Sequence, residues 1–239
     1  MTYQNVSIKE FVDALIRQLS IYGFCYSYEE LTISGVLEDY EIRHFDSFIK
    51  KKNMAAIIHR VLLLILNEKD NNDFLSANRF RDLYDCHVCV IHIAQVYAKG
   101  IIEGRTESVF GLDDLVSVSE MERILLKTFE KSRRVPREPI NYDISYINDS
   151  NALIYDRGSL LIDVRDKEVH NKDNRFENSV CIPIEDIKIN PAIILQKLNE
   201  QGKQRAVLYC SRGYMSSLAA DILIKNGYSE IYVLADGLK

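Results

Sequence analysis

Hydrophobic residues in the first half of the chain recur at the three- and four-residue spacing of amphipathic helices. Four stretches show this pattern: residues 11–19, 55–66, 86–99 and 121–128. Ser7 and Glu10 precede the first stretch at the spacing of a capping box, and Ser117 and Glu120 repeat that spacing before the last. Gly100 follows the third stretch where a C-terminal cap would lie. The pattern predicts an all-α first half.

The second half alternates between short apolar runs and helical stripes. The predicted strands are residues 160–164, 206–209 and 231–233. The predicted helices between them are residues 191–200 and 216–226, which end at Gly202 and Gly227. Strands separated by helices of this length predict an α/β domain, with a parallel sheet covered by helices on both faces.

A basic segment separates the two halves. Residues 131–140, KSRRVPREPI, hold four Arg or Lys residues, together with Pro136 and Pro139. Proline cannot lie inside a helix and biases its predecessor toward extended backbone. We therefore predict a helical domain over residues 1–138 and an α/β domain over residues 139–239.

Composition and charge exclude several classes of protein. The 239 residues are 47% hydrophobic and carry a net charge of -5, which argues against a nucleic-acid binder with a basic face. The longest apolar run, Val61–Leu66, is far shorter than the roughly twenty residues of a membrane span. The N-terminus has no pattern of a secretory signal. We expect a cytoplasmic protein without nucleic-acid or membrane partners, whose five cysteines are reduced.

The clearest candidate chemistry lies between the second predicted strand and the helix that follows it. Tyr209 ends the strand, Ser216 begins the helix, and residues 210–215, Cys-Ser-Arg-Gly-Tyr-Met, connect them. Free backbone N–H groups and the helix dipole at such a turn bind anions and favour the thiolate of a cysteine. Gly213 allows a tight turn, and Arg212 adds a positive charge at the rim. We expect Cys210 to be a reactive nucleophile.

Three motifs in order give the second half a resemblance to rhodanese domains. LLIDVRD at 160–166 is similar to the family's Leu-Ile-Asp-Val-Arg strand, and SVCIPIEDI at 179–187 resembles its Asn-Ile-Pro segment. Residues 206–237, AVLYCSRGYMSSLAADILIKNGYSEIYVLADG, resemble the family's strand, six-residue active loop, helix and final strand.

The resemblance implies sulfur transfer without a cofactor. A rhodanese cysteine, matched here by Cys210, takes a sulfane sulfur from a small anionic donor such as thiosulfate and passes it to a thiol or cyanide. The matching substrate-binding residues, whose amides would cradle the persulfide, are Ser211, Arg212, Gly213, Tyr214 and Met215. Asp163 and Arg165 match a pair that supports the loop.

Loop length and the loop's departures from the family leave alternatives. The related cell-cycle phosphatases have a loop one residue longer that ends in Arg, where this chain has Ser216, so the loop is sized for sulfur rather than phosphate. Many active rhodaneses have Arg at the sixth loop position, which is Met215 here. The alternatives are a non-catalytic binding or scaffold protein with this fold, and a redox or persulfide sensor that uses Cys210.

The helical half contains a weak internal repeat over residues 7–66 and 80–130, consistent with a duplicated helix-loop-helix. Gln18–Phe24 aligns with Gln95–Ile101. The second copy resembles an S-layer homology module through FRDLYDCHVCVIHIAQVYAKGIIEG and VFGLDDLVSVSEMERIL. The resemblance implies an interaction module that binds a partner protein or a second copy of this chain.

The remaining cysteines and histidines are expected to be structural. Cys86 and Cys89 have the spacing of a zinc or redox pair, but no second ligand pair accompanies them, so we expect a small buried residue at Cys89 and neither a metal site nor a redox function. Cys181 is expected to be a small core residue, and Cys25 to be buried or inert. His59 and His92 lie in apolar helices, which is typical of packed, hydrogen-bonded histidines.

Overall fold

A computed structural model describes residues 4–135, 137, 144–148, 157–172, 174–235 and 237–238. The chain divides into two compact units, residues 1–139 and 140–239. Pro136 and the predicted domain boundary near residue 138 lie outside the described residues.

The N-terminal unit is mostly helical, as the sequence predicts. Its helices are α1 (Ile8–Ile21), α2 (Tyr28–Ile33), α3 (Asp39–Arg43), α4 (Lys51–Leu64), α5 (Val90–Ala98) and α6 (Val118–Phe129). Shorter 3₁₀ turns lie at Asn72–Arg79, Leu83–Asp85, His87–Cys89 and Lys131–Arg133. The helix predicted from residue 86 begins at Val90, because the preceding residues form the 3₁₀ turn His87–Cys89.

Side chains cap α1 and α6 at the predicted serines. The Ser7 hydroxyl accepts a hydrogen bond from the Glu10 amide at 3.1 Å, and the Glu10 carboxylate accepts one from the Ser7 amide at 2.7 Å. The Ser117 hydroxyl accepts from the Glu120 amide at 3.3 Å. These bonds satisfy amides that an unaccompanied helix terminus leaves without partners.

A closed ring of three backbone hydrogen bonds joins the segments that precede α1, α4 and α6. The amide of Val6 donates to the carbonyl of Val116 at 3.0 Å, Val116 donates to Ile49 at 3.2 Å, and Ile49 donates to Val6 at 2.8 Å. Each of the three residues is buried and immediately precedes the N-cap of its helix. The three helices therefore begin in equivalent ways around one apolar centre.

This ring relates α1 to α4 and α6, whereas the internal repeat in the sequence aligns the end of α1 with the end of α5. The two helix ends share a feature: Gly23 follows α1 with φ +86° and Gly100 follows α5 with φ +69°. The two-copy alignment also pairs Ile49 with Val116, the residues that precede the N-caps of α4 and α6, and the ring adds Val6, before α1, as a third equivalent position. The two-copy repeat and the S-layer homology resemblance stay predictions.

The C-terminal unit is a parallel α/β sheet, which confirms the predicted fold class. Its strands are β1 (Ser145–Ile147), β2 (Ser159–Asp163), β3 (Val180–Cys181), β4 (Arg205–Tyr209) and β5 (Ile231–Leu234). Its helices are α7 (Lys167–Lys172), α8 (Ile184–Ile189), α9 (Ile193–Gln201) and α10 (Tyr214–Lys225). The strand order is β1-β5-β4-β2-β3, with parallel pairing throughout these strands.

Burial and register of the central strands determine where functional side chains gather. Every residue of β2 is buried, so neither face of this strand is open to solvent. Asp163 at the end of β2 pairs with Tyr209 on β4 and with Cys181 on β3. Since parallel strands run in the same direction, the residues that follow them lie together at the carboxyl edge of the sheet.

None of the helices in the described part of the chain has the length and apolar character that crossing a bilayer requires.

Replacing Ser7 by Ala is expected to destabilise the N-terminal unit by about 1 kcal/mol, because the hydroxyl that accepts the hydrogen bond of the Glu10 amide at the start of α1 is removed. Urea unfolding of the full chain, followed by far-ultraviolet circular dichroism, measures the change. The matched control is Ser20→Ala at an exposed position inside the same helix, where alanine should be neutral or slightly stabilising. Equal effects of the two variants would contradict the capping role.

Candidate active site

Cys210 lies directly after β4, at the carboxyl edge of the sheet, and the loop it begins leads into α10. The helix begins at Tyr214 with Gly213 as its N-cap, two residues before the predicted start. Tyr214 and Met215 therefore belong to the first helical turn. The helix N-terminus consequently lies nearer to Cys210 along the chain than expected.

Two glycines allow the loop to lie against the backbone beyond β5. Gly213 has φ +81°, and a Cβ at this position would lie 2.0 Å from the carbonyl oxygen of Ala235. A Cβ on Gly237 would lie 2.4 Å from the carbonyl oxygen of Cys210, which accepts a hydrogen bond from the Leu238 amide at 2.9 Å. Only glycine fits at these two contacts.

Several loop amides are left without acceptors. In the part of the chain that the structure describes, the backbone N–H groups of Ser211, Arg212, Gly213 and Met215 donate to no protein atom. The positive end of the α10 dipole lies in the same place. A loop with unpaired amides at a helix N-terminus can bind an anion through backbone groups alone.

The Cys210 side chain itself is buried and contacts a hydroxyl that the sequence analysis did not assign to the site. Cys210 is 3% exposed, and its Sγ lies 3.6 Å from the Oγ of Ser216. Ser216 Oγ donates to the carbonyl oxygen of Gly213 at 3.0 Å, which leaves its lone pairs directed to other donors. Ser216 thus supports both the turn and the thiol.

The other predicted site residues divide by exposure. The side chains of Ser211 and Arg212 are exposed, whereas Tyr214 and Met215 are half-buried. Arg212 is thus free to meet a ligand from solvent, and Met215 places an apolar side chain where many rhodaneses have Arg.

A buried ion network supports the loop from β2. Asp163 is fully buried. Its carboxylate accepts hydrogen bonds from the Arg165 guanidinium at 2.8 to 3.1 Å and from the Arg165 amide at 3.0 Å. It accepts a further hydrogen bond from His170 Nδ1 at 2.9 Å. Arg165 also donates to the carbonyl oxygen of Asn174 at 2.9 Å and reaches the Ser211 hydroxyl at 3.5 Å. The network therefore connects β2 to the first residue after Cys210.

Hydrogen bonds set the ionisation of Asp163. Burial alone would raise the pKa of this carboxyl, but the hydrogen bonds from Arg165 and His170 outweigh burial and hold the pKa below its ordinary value.

The sequence did not predict a role for His170 on α7. Its position seven residues after Asp163, in a short polar helix, carried no periodic signal.

Cys181 lies at the same edge of the sheet in a different environment. It is half-buried at the end of β3, and its Sγ donates to the carbonyl oxygen of Arg165 at 3.5 Å. Burial, assisted by the nearby Asp163 carboxylate, raises the pKa of this thiol to about 11. Cys181 is therefore protonated near neutral pH.

The cysteines of the N-terminal unit differ from expectation in oxidation state and in burial. Cys86 and Cys89 form a disulfide, so the expectation that all five cysteines are reduced is wrong; a turn brings their Cα atoms to 5.3 Å, an ordinary span for this bond. Cys89 is buried, as expected. Cys25 is exposed rather than buried.

Two histidines of the N-terminal unit are hydrogen-bonded, as predicted. The Nδ1 atoms of His59 and His92 lie 2.8 Å apart, and His59 Nε2 lies 2.8 Å from the Asp70 carboxylate. Among the described residues, no group of three or more His, Cys, Asp or Glu side chains has a metal-binding arrangement.

The sequence profile of the rhodanese-like domain matches residues 147–239. The C-terminal part of the chain is a rhodanese-like domain. The profile covers the strands from β2 onward, the Cys210 loop and the Asp163 network, and it does not extend into the N-terminal unit. No curated protein sequence matches the chain.

Solved structures similar to the chain include proteins of different sizes. A variant of EanB in complex with hercynine is 19% identical, with a TM-score of 0.32, and the match covers 39% of this chain and 24% of that one. An uncharacterized protein from Saccharomyces cerevisiae is 17% identical, with a TM-score of 0.31, and the match covers 41% of this chain and 89% of that one. A NAD-dependent persulfide reductase from A. fulgidus is 15% identical, with a TM-score of 0.30, and the match covers 64% of this chain and 24% of that one. The chain thus spans about a quarter of the length of the first and third of these structures.

Replacing Gly213 by Ala is expected to disrupt the active loop of the rhodanese-like domain, because the new methyl group would collide with the Ala235 carbonyl. The matched control is Gly227→Ala, which has a similar φ of +87° but open space around the new Cβ. The control should lose about 1–2 kcal/mol through left-handed strain, and Gly213→Ala should lose clearly more. Thermal unfolding and a crystal structure of each variant measure the difference; equal losses would contradict the close approach.

The Asp163 network is expected to make the rhodanese-like domain acid-sensitive. Since the folded-state pKa of Asp163 is lowered, its stabilising effect is complete above the unfolded-state value of about 3.9 and is lost as pH falls through the folded-state value. Asp163→Asn should therefore destabilise the domain near neutral pH, by an amount that shrinks in acid. Thermal unfolding as a function of pH, with Asp46→Asn at an exposed position as the control, measures this dependence. A pH-independent difference would contradict it.

Proposed function

We propose that the rhodanese-like domain is a sulfurtransferase in which Cys210 carries a sulfane sulfur as a persulfide. The observation that carries the proposal is the position of a buried cysteine at the start of a loop, directly before the N-terminus of α10, in which four amides, those of Ser211, Arg212, Gly213 and Met215, have no protein acceptor among the described residues. Unpaired N–H donors that follow a cysteine at a helix N-terminus can hold a negatively charged sulfur species.

The reaction we propose consists of two displacements at sulfur. The Cys210 thiolate attacks the outer sulfur of thiosulfate; an S–S bond forms at Cys210, the S–S bond of thiosulfate breaks, and sulfite leaves with the bonding electron pair. The acceptor, a thiolate or cyanide, then attacks the outer sulfur of the persulfide. Cys210 leaves as a thiolate, so the enzyme returns to its starting state without an external oxidant or reductant.

Backbone amides and one exposed cation would stabilise the charges in these steps. The outer persulfide sulfur carries a negative charge that the amides of residues 211–215 can meet without reorganising. Arg212, the exposed cation of the loop, is the candidate to draw the anionic donor from solvent. Arg165 holds Ser211 from the interior side and supports the loop rather than contacting substrate.

The loop favours sulfur over phosphate. A tetrahedral phosphate needs a cation opposite the nucleophile, and the residue six positions after Cys210 is Ser216, whose hydroxyl already donates to the Gly213 carbonyl. Met215, the residue before it, is uncharged. The described loop therefore offers amides for a single sulfur atom and no interior cation for three phosphate oxygens.

Incubation of the full chain with thiosulfate is expected to add one sulfur atom to the peptide that contains Cys210, and cyanide should release it as thiocyanate. Cys210→Ser should abolish both signals. Cys181→Ser is the matched control, because this thiol lies at the same edge of the sheet but has a pKa raised to about 11. Mass spectrometry of the peptides and a colour assay for thiocyanate provide the two measurements.

Two results would replace the proposal by another role. Absence of any adduct on Cys210 across several sulfane donors would leave the domain a binding or scaffold module. A stable adduct or a disulfide at Cys210 without thiocyanate formation would make it a sensor. Met215→Arg separates a poor enzyme from a non-enzyme, since an added cation in the first turn of α10 should raise turnover of an anionic donor only if the loop is catalytic.

A further inference from the structure

The Cys86–Cys89 disulfide lies immediately before α5, away from the function proposed for the C-terminal unit. Cys89 is the N-cap of this nine-residue helix, and its amide donates to the carbonyl oxygen of Cys86 at 3.0 Å. The two cysteines are three positions apart and enclose two residues within the turn that leads into the helix.

The two cysteines differ in exposure. Cys86 is partly exposed, whereas Cys89 is 7% exposed and packs in the apolar interior of the unit. Between them Val88 is 82% exposed, which gives the surface beside Cys86 an apolar contact point. A thiolate arriving from solvent can therefore reach Cys86, while Cys89 is the sulfur that must leave.

The surroundings of Cys89 suit a departing thiolate. Cys89 is the N-cap of α5, so the positive end of the helix dipole lies at this residue. His92 lies three residues after Cys89, one helical turn on, and continues through His59 to the Asp70 carboxylate. A helix N-terminus begins at Cys89, and a histidine pair follows one turn further along the helix.

A purely stabilising role fits this disulfide poorly. A cross-link stabilises a fold mainly by restricting the unfolded chain, and this restriction grows with the length of the loop that is closed. Here the loop contains only two intervening residues, and the helix and the turn already hold them. Reduction should therefore leave the unit folded.

We propose that Cys86 and Cys89 form a thiol–disulfide exchange site that accepts two electrons from a dithiol. A thiolate of the dithiol attacks Cys86 Sγ, the Cys86–Cys89 bond breaks, and Cys89 leaves as a thiolate that takes up a proton. The second thiol of the dithiol then attacks the mixed disulfide and releases Cys86 as a thiol. Two electrons and two protons pass to the pair, and the dithiol becomes a disulfide; the reverse sequence reduces a substrate disulfide.

Peptide mass spectrometry of the full chain tests whether the pair cycles while the protein is folded. After dithiothreitol without denaturant, the peptide containing residues 86–89 should carry two alkyl groups, and the far-ultraviolet circular dichroism should be unchanged. Oxidised glutathione should restore the disulfide. Reduction that occurs only in denaturant, or a peptide that never becomes oxidised, would overturn the proposal.

Single-cysteine variants test the order of attack. In Cys89→Ser, oxidised glutathione should form a mixed disulfide at Cys86; in Cys86→Ser, the buried Cys89 should form one at least about tenfold more slowly. The exposed Cys25 gives an internal reference for an accessible thiol in both proteins. Equal rates at Cys86 and Cys89 would contradict the assignment of Cys86 as the attacked sulfur.

An activity measurement separates this proposal from the function proposed above. The chain should accelerate the dithiothreitol-driven reduction of insulin disulfides, and Cys86→Ser should abolish this acceleration. Cys210→Ser should retain it while losing thiocyanate formation. Insulin reduction that depends on Cys210, or that survives loss of Cys86, would overturn the exchange site whatever the outcome at Cys210.

Discussion

A backbone contact that leaves no room for a side chain holds the Cys210 loop in place. Gly213 meets the carbonyl of Ala235, and Gly237 meets the carbonyl of Cys210, so the loop and the end of β5 approach one another as bare backbone. This approach constrains the peptide planes from residue 210 to residue 213. Peptide planes determine where N–H groups point, and these N–H groups are the positive charge proposed to hold a persulfide. Glycine at two positions thus underlies the electrostatics of the whole site.

The interior of the sheet supplies the second constraint on the loop. Asp163 at the centre of the carboxyl edge would be costly to bury as a lone charge, but Arg165 and His170 surround it with donors. Arg165 uses most of its hydrogen-bonding capacity on Asp163 and Asn174, and only one arm reaches Ser211. The arginine is therefore held by these bonds beneath the loop, whereas Arg212 lies in the loop with its side chain exposed.

Much of the fold was predictable because long elements repeat a physical signal many times. α1, α6 and α10 each present several turns of apolar residues, and β2 and β4 are continuous apolar runs. β1 and β3 were not predicted, since strands of three and two residues contain too few positions to show a period. The predicted start of α10 is two residues late, because Tyr214 and Met215 fit the pattern of a loop as well as that of a helix. From the residues alone, the candidate site was predictable only as one contiguous segment, Cys210 and the five residues after it. The family resemblance added Asp163 and Arg165, whereas His170 joins the site through folding and had no signal in the sequence.

Comparison of Cys210 with Cys181 shows why position rather than residue type decides sulfur chemistry in this unit. Both follow or end a parallel strand, and β2 alone separates their strands. Cys181 faces a carbonyl oxygen and lies near the Asp163 carboxylate; burial and negative charge both favour its protonated form, and its pKa rises to about 11. Cys210 Sγ lies 3.6 Å from the Ser216 hydroxyl, and the residue is followed three positions later by the N-cap of a twelve-residue helix. The thiol of Cys181 is therefore held as a neutral hydrogen-bond donor by its own surroundings, whereas Cys210 lies at the start of the loop that leads into α10.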